Sequence, residues 1–436
     1  MNPSCTQAVE ILRELIRFDT TNPPANVKEC ILFIRKIFED HGFQTEIIGK
    51  EENRPNLITR LKGRGDAPPF LMYGHVDVVA AGHKGWKYPP FEGVLEESCV
   101  WGRGALDMKG GIAMMMAALL DASRKGFLPR GDMIFAALCD EESGWDEGAK
   151  FLVEEHPGKF DGVQFAIGEF GGFPIYVGNK RFYPIQIAEK QICWMRGKIM
   201  GQSGHSAQRM KHTAALKLGR VLSVLGKKRL PVHITPIPEQ MITTMAANLP
   251  APMAQYLKLI LTPFMTNTLI DLLGERGSLF DPILHNTVNV TILNGGDKIN
   301  VIPSEITVQM DGRVLPGFSP HDLIAEMKRL TKADMDIEVM RFDPCTCDPD
   351  MTCFELLSGI LQEQDPECIP IPFLLPAITD ARFFSRLGIQ TYGFTPMNLP
   401  KGFDFTRVIH SENERIPVHC LEFGTKAISR LIERYA

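Results

Sequence analysis

Short apolar runs that end abruptly in acids or histidine constrain this chain more than any other feature. Phe70 to Gly74 (FLMYG) runs into His75, Met133 to Cys139 (MIFAALC) into Asp140, Glu141 and Glu142, and Val163 to Gly168 (VQFAIG) into Glu169. Runs this short and this apolar suit strands buried on both faces of a sheet. Helical patterns separate them, the longest being GGIAMMMAALLDASRKG after Lys109. The first half therefore predicts an α/β layer: a mostly parallel central sheet flanked by helices.

Two amphipathic helices precede it, one marked by Leu12, Leu15 and Ile16, the other by Ile31, Ile34, Ile37 and Phe38 and stopping at Gly42. FQTEII and PNLITRL then alternate like strands. From ICWMRGKIMG onward the pattern changes to strands (TVNVTILNGG, ITVQMDGRV, MDIEVM) beside helices (Ser206 to Leu225, and HDLIAEMKRL), an α+β signature. A chain of 436 residues exceeds what one core usually serves. The expected organisation is a catalytic domain of residues 1–192 and 343–436, with residues 193–342 inserted as a lid or dimerisation domain. Within the insertion, Leu257, Ile260, Leu261, Leu269 and Leu272 are expected to form a local core. The ICWMRGKIMG strand and the helix after it are the expected dimer surface.

Composition narrows the class. A net charge of −5 without a basic patch excludes nucleic acid as the natural partner and offers nothing to an anionic membrane. No apolar run reaches the ~20 residues that span a bilayer. The start, MNPSCTQAVEIL, lacks the basic and apolar regions of a secretory signal, so the expected location is the cytoplasm. The ten cysteines follow no disulfide framework; Cys345 and Cys347 in CTC, with Cys353 nearby, lack metal-ligand spacing and are expected to be plain thiols.

The polar clusters carry the chemistry. His75 and Asp77 form an H-x-D pair, either a ligand with a carboxylate that orients it or a solvated turn. Asp107 lies in GRGALDMKGG, where glycines let backbone crowd a ligand; the GK[ST] of a P-loop and the G-x-G-x-x-G of a dinucleotide fold are both missing. Glu141 and Glu142, behind Asp140, repel one another unless a cation sits close or the strand ends in open water. Glu169 follows its strand in the same way, and His410 follows QTYGFTP. The carboxyl edge of an α/β sheet is where such groups converge. Two histidines with several carboxylates and no thiolate suit one or two divalent ions.

Taken together, GHVDVV, GRGALDMKGG, DEESG, GHSA, INVIP and HSENE resemble the metallopeptidase family of aminoacylase, carboxypeptidase G, acetylornithine deacetylase and succinyl-diaminopimelate desuccinylase. The likeness runs from the first helix to the chain's end. The long insertion and TDARFF near Asp380 are closest to the carboxypeptidase S-like branch. The resemblance implies two Zn2+ per subunit, with Co2+ or Mn2+ as substitutes. It makes His75, Asp107 and Glu169 the ligands of one and Asp107, Glu142 and His410 those of the other. Asp77 would orient His75 and Glu141 would be the general base. His205 in GQSGHSAQ would stabilise the oxyanion from the other subunit of a homodimer, and Asn300 and Arg313 would hold a substrate carboxylate.

The implied activity is a dinuclear zinc amidohydrolase acting on a small peptide or N-acyl amino acid and releasing an amino acid with a free carboxylate, as a carboxypeptidase, dipeptidase or deacylase. An acetylornithine-type deacylase is the alternative. A catalytically silent metal-binding protein would have no need of Glu141, and an aminopeptidase would want an acidic pocket where Asn300 and Arg313 suit an anion. The chain departs from the family at Ala80 (often Pro), Trp145 (Gly), and Ala377, Ile378 and Thr379 (Gly-Gly-Thr).

Overall fold

The computed structural model describes residues 3–82, 84–345 and 349–435. Two compact units divide the chain: Met1–Ile187 with Pro349–Pro372 and Thr379–Ala436, and Ala188–Asp348 with Phe373–Ile378. The second unit begins five residues before the expected position 193 and takes in the short piece Phe373–Ile378.

The large sheet has its parallel strands at the centre, in the order Met133–Leu138, Phe70–His75, Phe165–Gly168 and Gln390–Gly393. Antiparallel strands extend it on both sides, Asn56–Leu61 and Thr45–Ile48 beyond one edge and Lys180–Glu189 beyond the other. Every residue of Phe70–His75 and of Met133–Leu138 is buried, which explains their unbroken apolar character. The helix Lys109–Arg124 is buried on all sides from Lys109 to Ala122. It packs against the helix Val418–Arg434 so closely that a Cβ on Gly424 would fall 2.2 Å from the Met114 sulfur.

The second unit is a four-stranded antiparallel sheet in the order Thr287–Asn294, Glu305–Val314, Gln191–Met200, Asp336–Asp343. One face packs on the helices Ala214–Leu225 and Pro320–Thr331 through Met195, Met310, Leu218, Leu323 and Met327. The strand from ICWMRGKIMG is internal here, bonded on both sides, so among the described residues the sheet's edges are Thr287–Asn294 and Asp336–Asp343.

Two expectations are corrected. The helix predicted from Ser206 begins at Ala214, where Thr213 caps it by accepting the Leu216 N–H; the preceding SAQRMKH is polar, and the apolar period starts only with Ala214, Leu218 and Val221. Leu272 is 73% exposed, whereas Leu257, Ile260 and Leu269 are buried. The buried stripe of its helix runs through Thr266, Leu269 and Ile270, and two residues beyond Ile270 is a rotation of about 200°.

Cys347 of the CTC pair lies outside the described residues, Cys345 Sγ donates to the Glu189 carbonyl at 3.2 Å, and Cys353 and six further described cysteines are free thiols. Among the described residues no helix is long and apolar enough to cross a membrane.

Candidate metal centre

Three adjacent parallel strands deliver their charged ends to one edge of the first unit. His75 is the last residue of its strand; Glu141 and Glu142 follow Met133–Leu138, and Glu169 follows Phe165–Gly168. Asp107 arrives from the loop before the buried helix. That loop folds tightly because Gly110 lets the Ala105 carbonyl approach to 2.3 Å of where a Cβ would stand. His410 comes from the loop after the last parallel strand, with a φ of +58°.

Asp107 lies between the two imidazoles. Its Oδ1 is 3.1 Å from His75 Nε2 and its Oδ2 is 3.0 Å from His410 Nε2. Glu169 stands 3.4 Å from His75 Nε2, and Glu142 stands 3.4 Å from His410 Nε2. Two groups result, His75–Asp107–Glu169 and Asp107–Glu142–His410, each with its donor atoms within 4.8 Å of one another. Asp107 belongs to both.

The electrostatics are those of a site crowded with acids. Among the described residues no lysine or arginine forms an ion pair with Asp107, Glu142 or Glu169; His75 pairs with Asp107 and Glu169, and His410 with Asp107 and Glu142. Burial pushes the Glu141 carboxyl well above its ordinary range, and nearby Glu169 adds to this. Burial also raises Glu142, against the pull of His410. Glu169 is pushed up to about 8, with burial outweighing His75, and burial takes Asp380 to about 7. Burial would raise Asp107 too, but the His410 and His75 hydrogen bonds outweigh it and hold the carboxyl far below its usual range. Asp107 and Glu142 hold His410 up at about 10. His75 is raised as well, because Asp107 and Glu169 outweigh its burial. Hard and borderline donors packed this tightly fit divalent cations, which would relieve the mutual repulsion of the acids.

Asp77 does more than the sequence leads one to expect. His75 Nδ1 is 2.9 Å from the Asp77 main-chain carbonyl and 3.7 Å from its carboxylate. A carbonyl can only accept, so Nδ1 carries the proton and Nε2 faces the cluster. The Asp77 carboxylate also accepts the main-chain N–H groups of Glu141 and Glu142, at 3.1 and 3.0 Å. It thereby sets the turn that presents both glutamates.

Sequence inspection missed Asn22, whose amide donates to Asp77 (2.9 Å), to Asp140 (3.0 Å) and to the Ser143 carbonyl (3.2 Å). Nothing local in TTNPP marks it, since its partners lie 55 to 121 residues away. Asp380, fully buried and electrostatically coupled to Glu141 and Glu169, was noticed only as part of TDARFF. Trp145 adopts a φ of +66°, and the Arg382 guanidinium stacks on its ring at 4.7 Å.

His205, Asn300 and Arg313 belong to the second unit. His205 is no helix-start residue: Gly204–His205 pairs with Val301–Ile302, and the Ser206 N–H donates to the Asn300 carbonyl at 3.2 Å. The structure thus brings His205 and Asn300 together, both exposed. Arg313 lies at the far end of the Glu305–Val314 strand, eight residues from Glu305 or about 26 Å. Its Nε and one Nη donate to Asp311 at 3.0 Å each, and its other Nη is buried without a hydrogen-bond partner among the described residues.

A family model described as Peptidase family M20/M25/M40 matches residues 71–434. The N-fatty-acyl-amino acid synthase/hydrolase PM20D1 of Homo sapiens is 30% identical over 418 residues, covering 92% of this chain and 81% of that protein. Among solved structures, the metallo-carboxypeptidase Sso-CP2 of Sulfolobus solfataricus superposes with a TM-score of 0.69 at 15% identity, covering 100% and 99% of the two chains. The Bacillus subtilis YXEP protein, described as a dinuclear metal-binding peptidase, gives 0.61 at 14% identity over 99% and 98%.

Proposed function

The chain belongs to peptidase family M20/M25/M40 and is a hydrolase of amide bonds, and we propose that it is a dinuclear zinc enzyme releasing an amino acid with a free carboxylate from an N-acyl amino acid or short peptide. The observation that carries this reading is the shared Asp107, flanked by a histidine and a glutamate on each side, with half-buried Glu141 beside them.

His75, Asp107 and Glu169 would hold one zinc, and Asp107, Glu142 and His410 the other, with cobalt or manganese able to substitute. When bound, the cations supply Lewis acidity for the amide carbonyl and for the attacking water. Glu141 takes the proton from that water and passes it to the departing amine, a role typically contributing about 10²- to 10⁴-fold in rate. The proton affinity that desolvation and nearby Glu169 raise suits a group that must both accept and return a proton. His205 donates to the developing oxyanion. The buried, unpartnered N–H of Arg313 supports its assignment to the substrate carboxylate, with Asn300 as a second donor.

Asn300 and the neighbouring His205 lie toward the Glu305 end of the strand Glu305–Val314, whereas Arg313 stands eight residues on near its other end, and this supports a homodimer in which they serve the sites of different subunits. A second copy would bring His205 and Asn300 to the site, and residues 193–342 would act as the lid and dimerisation domain. The open edge strand Thr287–Asn294 exposes Ile292 and Leu293 at 46% and 55%, as an edge awaiting a partner does. The free thiols favour a reducing cytoplasm.

The deciding assay sets N-acetyl and N-fatty-acyl amino acids against dipeptides, with and without chelator. Chelator-sensitive, zinc-restored release of an amino acid is expected. Turnover indifferent to chelator and to added zinc counts against the reading.

A further inference from the structure

Asp107 and His410 are 303 residues apart in the chain and face each other at 3.0 Å, so their two loops need a common anchor. Glu414, four residues after His410, is wholly buried. Its Oε1 accepts the main-chain N–H groups of Leu106 at 2.8 Å and Asp107 at 3.1 Å. Its Oε2 accepts from the Arg103 guanidinium at 2.6 Å, and Arg103, also buried, reaches the Ala80 carbonyl at 3.3 Å. The main chain repeats the connection: Gly102 donates to the Glu414 carbonyl at 2.9 Å, and Arg415–Pro417 pairs antiparallel with Cys99–Trp101.

His410 depends on this anchor more than the other donors do. His75 ends a buried strand, and Glu142 and Glu169 follow two others. His410 has a side chain 49% exposed and a left-handed backbone, a conformation that persists only where its surroundings impose it. Its loop is held by Glu414 and by Asn413, whose side chain donates to the Gly85 carbonyl at 2.9 Å and accepts the Lys87 N–H at 2.6 Å.

We propose that Glu414 is a positioning residue that locks the Asp107 turn to the His410 loop and so sets the affinity of the Asp107–Glu142–His410 cation far more than that of the His75–Asp107–Glu169 cation. The inference rests on the two-cation reading of the site. Its action is through the N–H groups that Glu414 accepts, and Arg103 serves to keep the buried carboxylate charged.

Removing Glu414 alone strands a buried guanidinium and endangers folding, so the test uses Arg103→Met with Glu414→Ala and, in parallel, Arg103→Met with Glu414→Gln. Zinc and cobalt are titrated into chelator-stripped protein against a competing chelator, with thermal melts as the check on folding. The alanine pair should lose about 10- to 100-fold in affinity for one cation of the two, while the glutamine pair, which keeps an acceptor oxygen, stays within about threefold of the unaltered protein at both. Equal weakening of both cations in the alanine pair, no change in either, or loss of the second cation in the glutamine pair would each overturn the proposal. Failure of the unaltered protein to bind two cations would refute the two-cation reading itself and is seen separately.

Discussion

Asp77 accepts the main-chain N–H of Glu141 at 3.1 Å, so the carboxylate that sequence spacing assigns to His75 also shapes the turn that carries Glu141. Three donors converge on it: Glu141, Glu142 and the Asn22 amide. In Asp77→Asn one of them must face an NH2 group. That costs about 1 to 3 kcal/mol of stability for the unmade bond, and kcat/KM should fall about 10- to 100-fold, as for other groups that hold a metal site from behind. A variant as stable and as active as the unaltered protein would remove Asp77 from this role.

Glu141→Gln keeps the shape of the turn and deletes the proton acceptor. Turnover should fall about 10²- to 10⁴-fold while zinc stoichiometry, read by metal analysis after gel filtration, stays at two. Near-normal kcat would mean that another group is the base.

The metal-free protein should lose stability as pH rises from about 5 to 9. Glu169 moves from an unfolded value of 4.5 to about 8, Asp380 from 3.8 to about 7, and His410 from 6.5 to about 10. Each folded value is raised, so the folded chain binds more protons across this window and stability falls toward alkaline pH. Asp107 is shifted the other way, and its contribution is lost only as pH falls below 3.8. Melting temperatures measured in chelator should drop from pH 6 to pH 9; a rise would contradict this balance.

Zinc loading should expel the same protons. At pH 7 the metal-free site holds protons on Glu169 and on His410, and cation binding requires the carboxylate and the neutral imidazole. Titrating zinc into weakly buffered apoprotein should release more than one proton per chain, by indicator dye, and fewer in His410→Ala. Binding without proton release would show that the site is already ionised.

Subunit mixing tests where His205 acts. Chains carrying Glu141→Ala and chains carrying His205→Ala are each expected to be inactive. If His205 serves the neighbouring subunit, a mixed dimer contains one complete site, so refolding the two together should restore activity. No recovery in a mixture shown to contain mixed dimers places His205 in its own chain's site or outside catalysis. Ile292→Lys with Leu293→Lys should separate the subunits, seen by sedimentation, if the open edge strand is the contact.

Much of the architecture was legible along the chain because burial leaves a local signature. Unbroken apolar runs mark strands covered on both faces, and the abrupt charges behind them mark where FLMYG, MIFAALC and VQFAIG leave the core. The same local grammar misled where it was weak. The polar SAQRMKH was absorbed into a helix that begins only at Ala214, and Leu272 was assigned inward although it sits opposite the buried stripe.

Read as a linear string, the chain announces which acids and histidines stand at strand ends, since each depends on neighbours a few residues away. Which of them meet is another matter. That Asp107 lies between His75 and His410, that Asn22 ties Asp77 to Asp140, and that Glu414 reaches Arg103 across 311 residues follow from how distant segments pack. Hydrogen bonds of about 3 Å between remote loops leave no periodicity behind, so only the folded core fixes them.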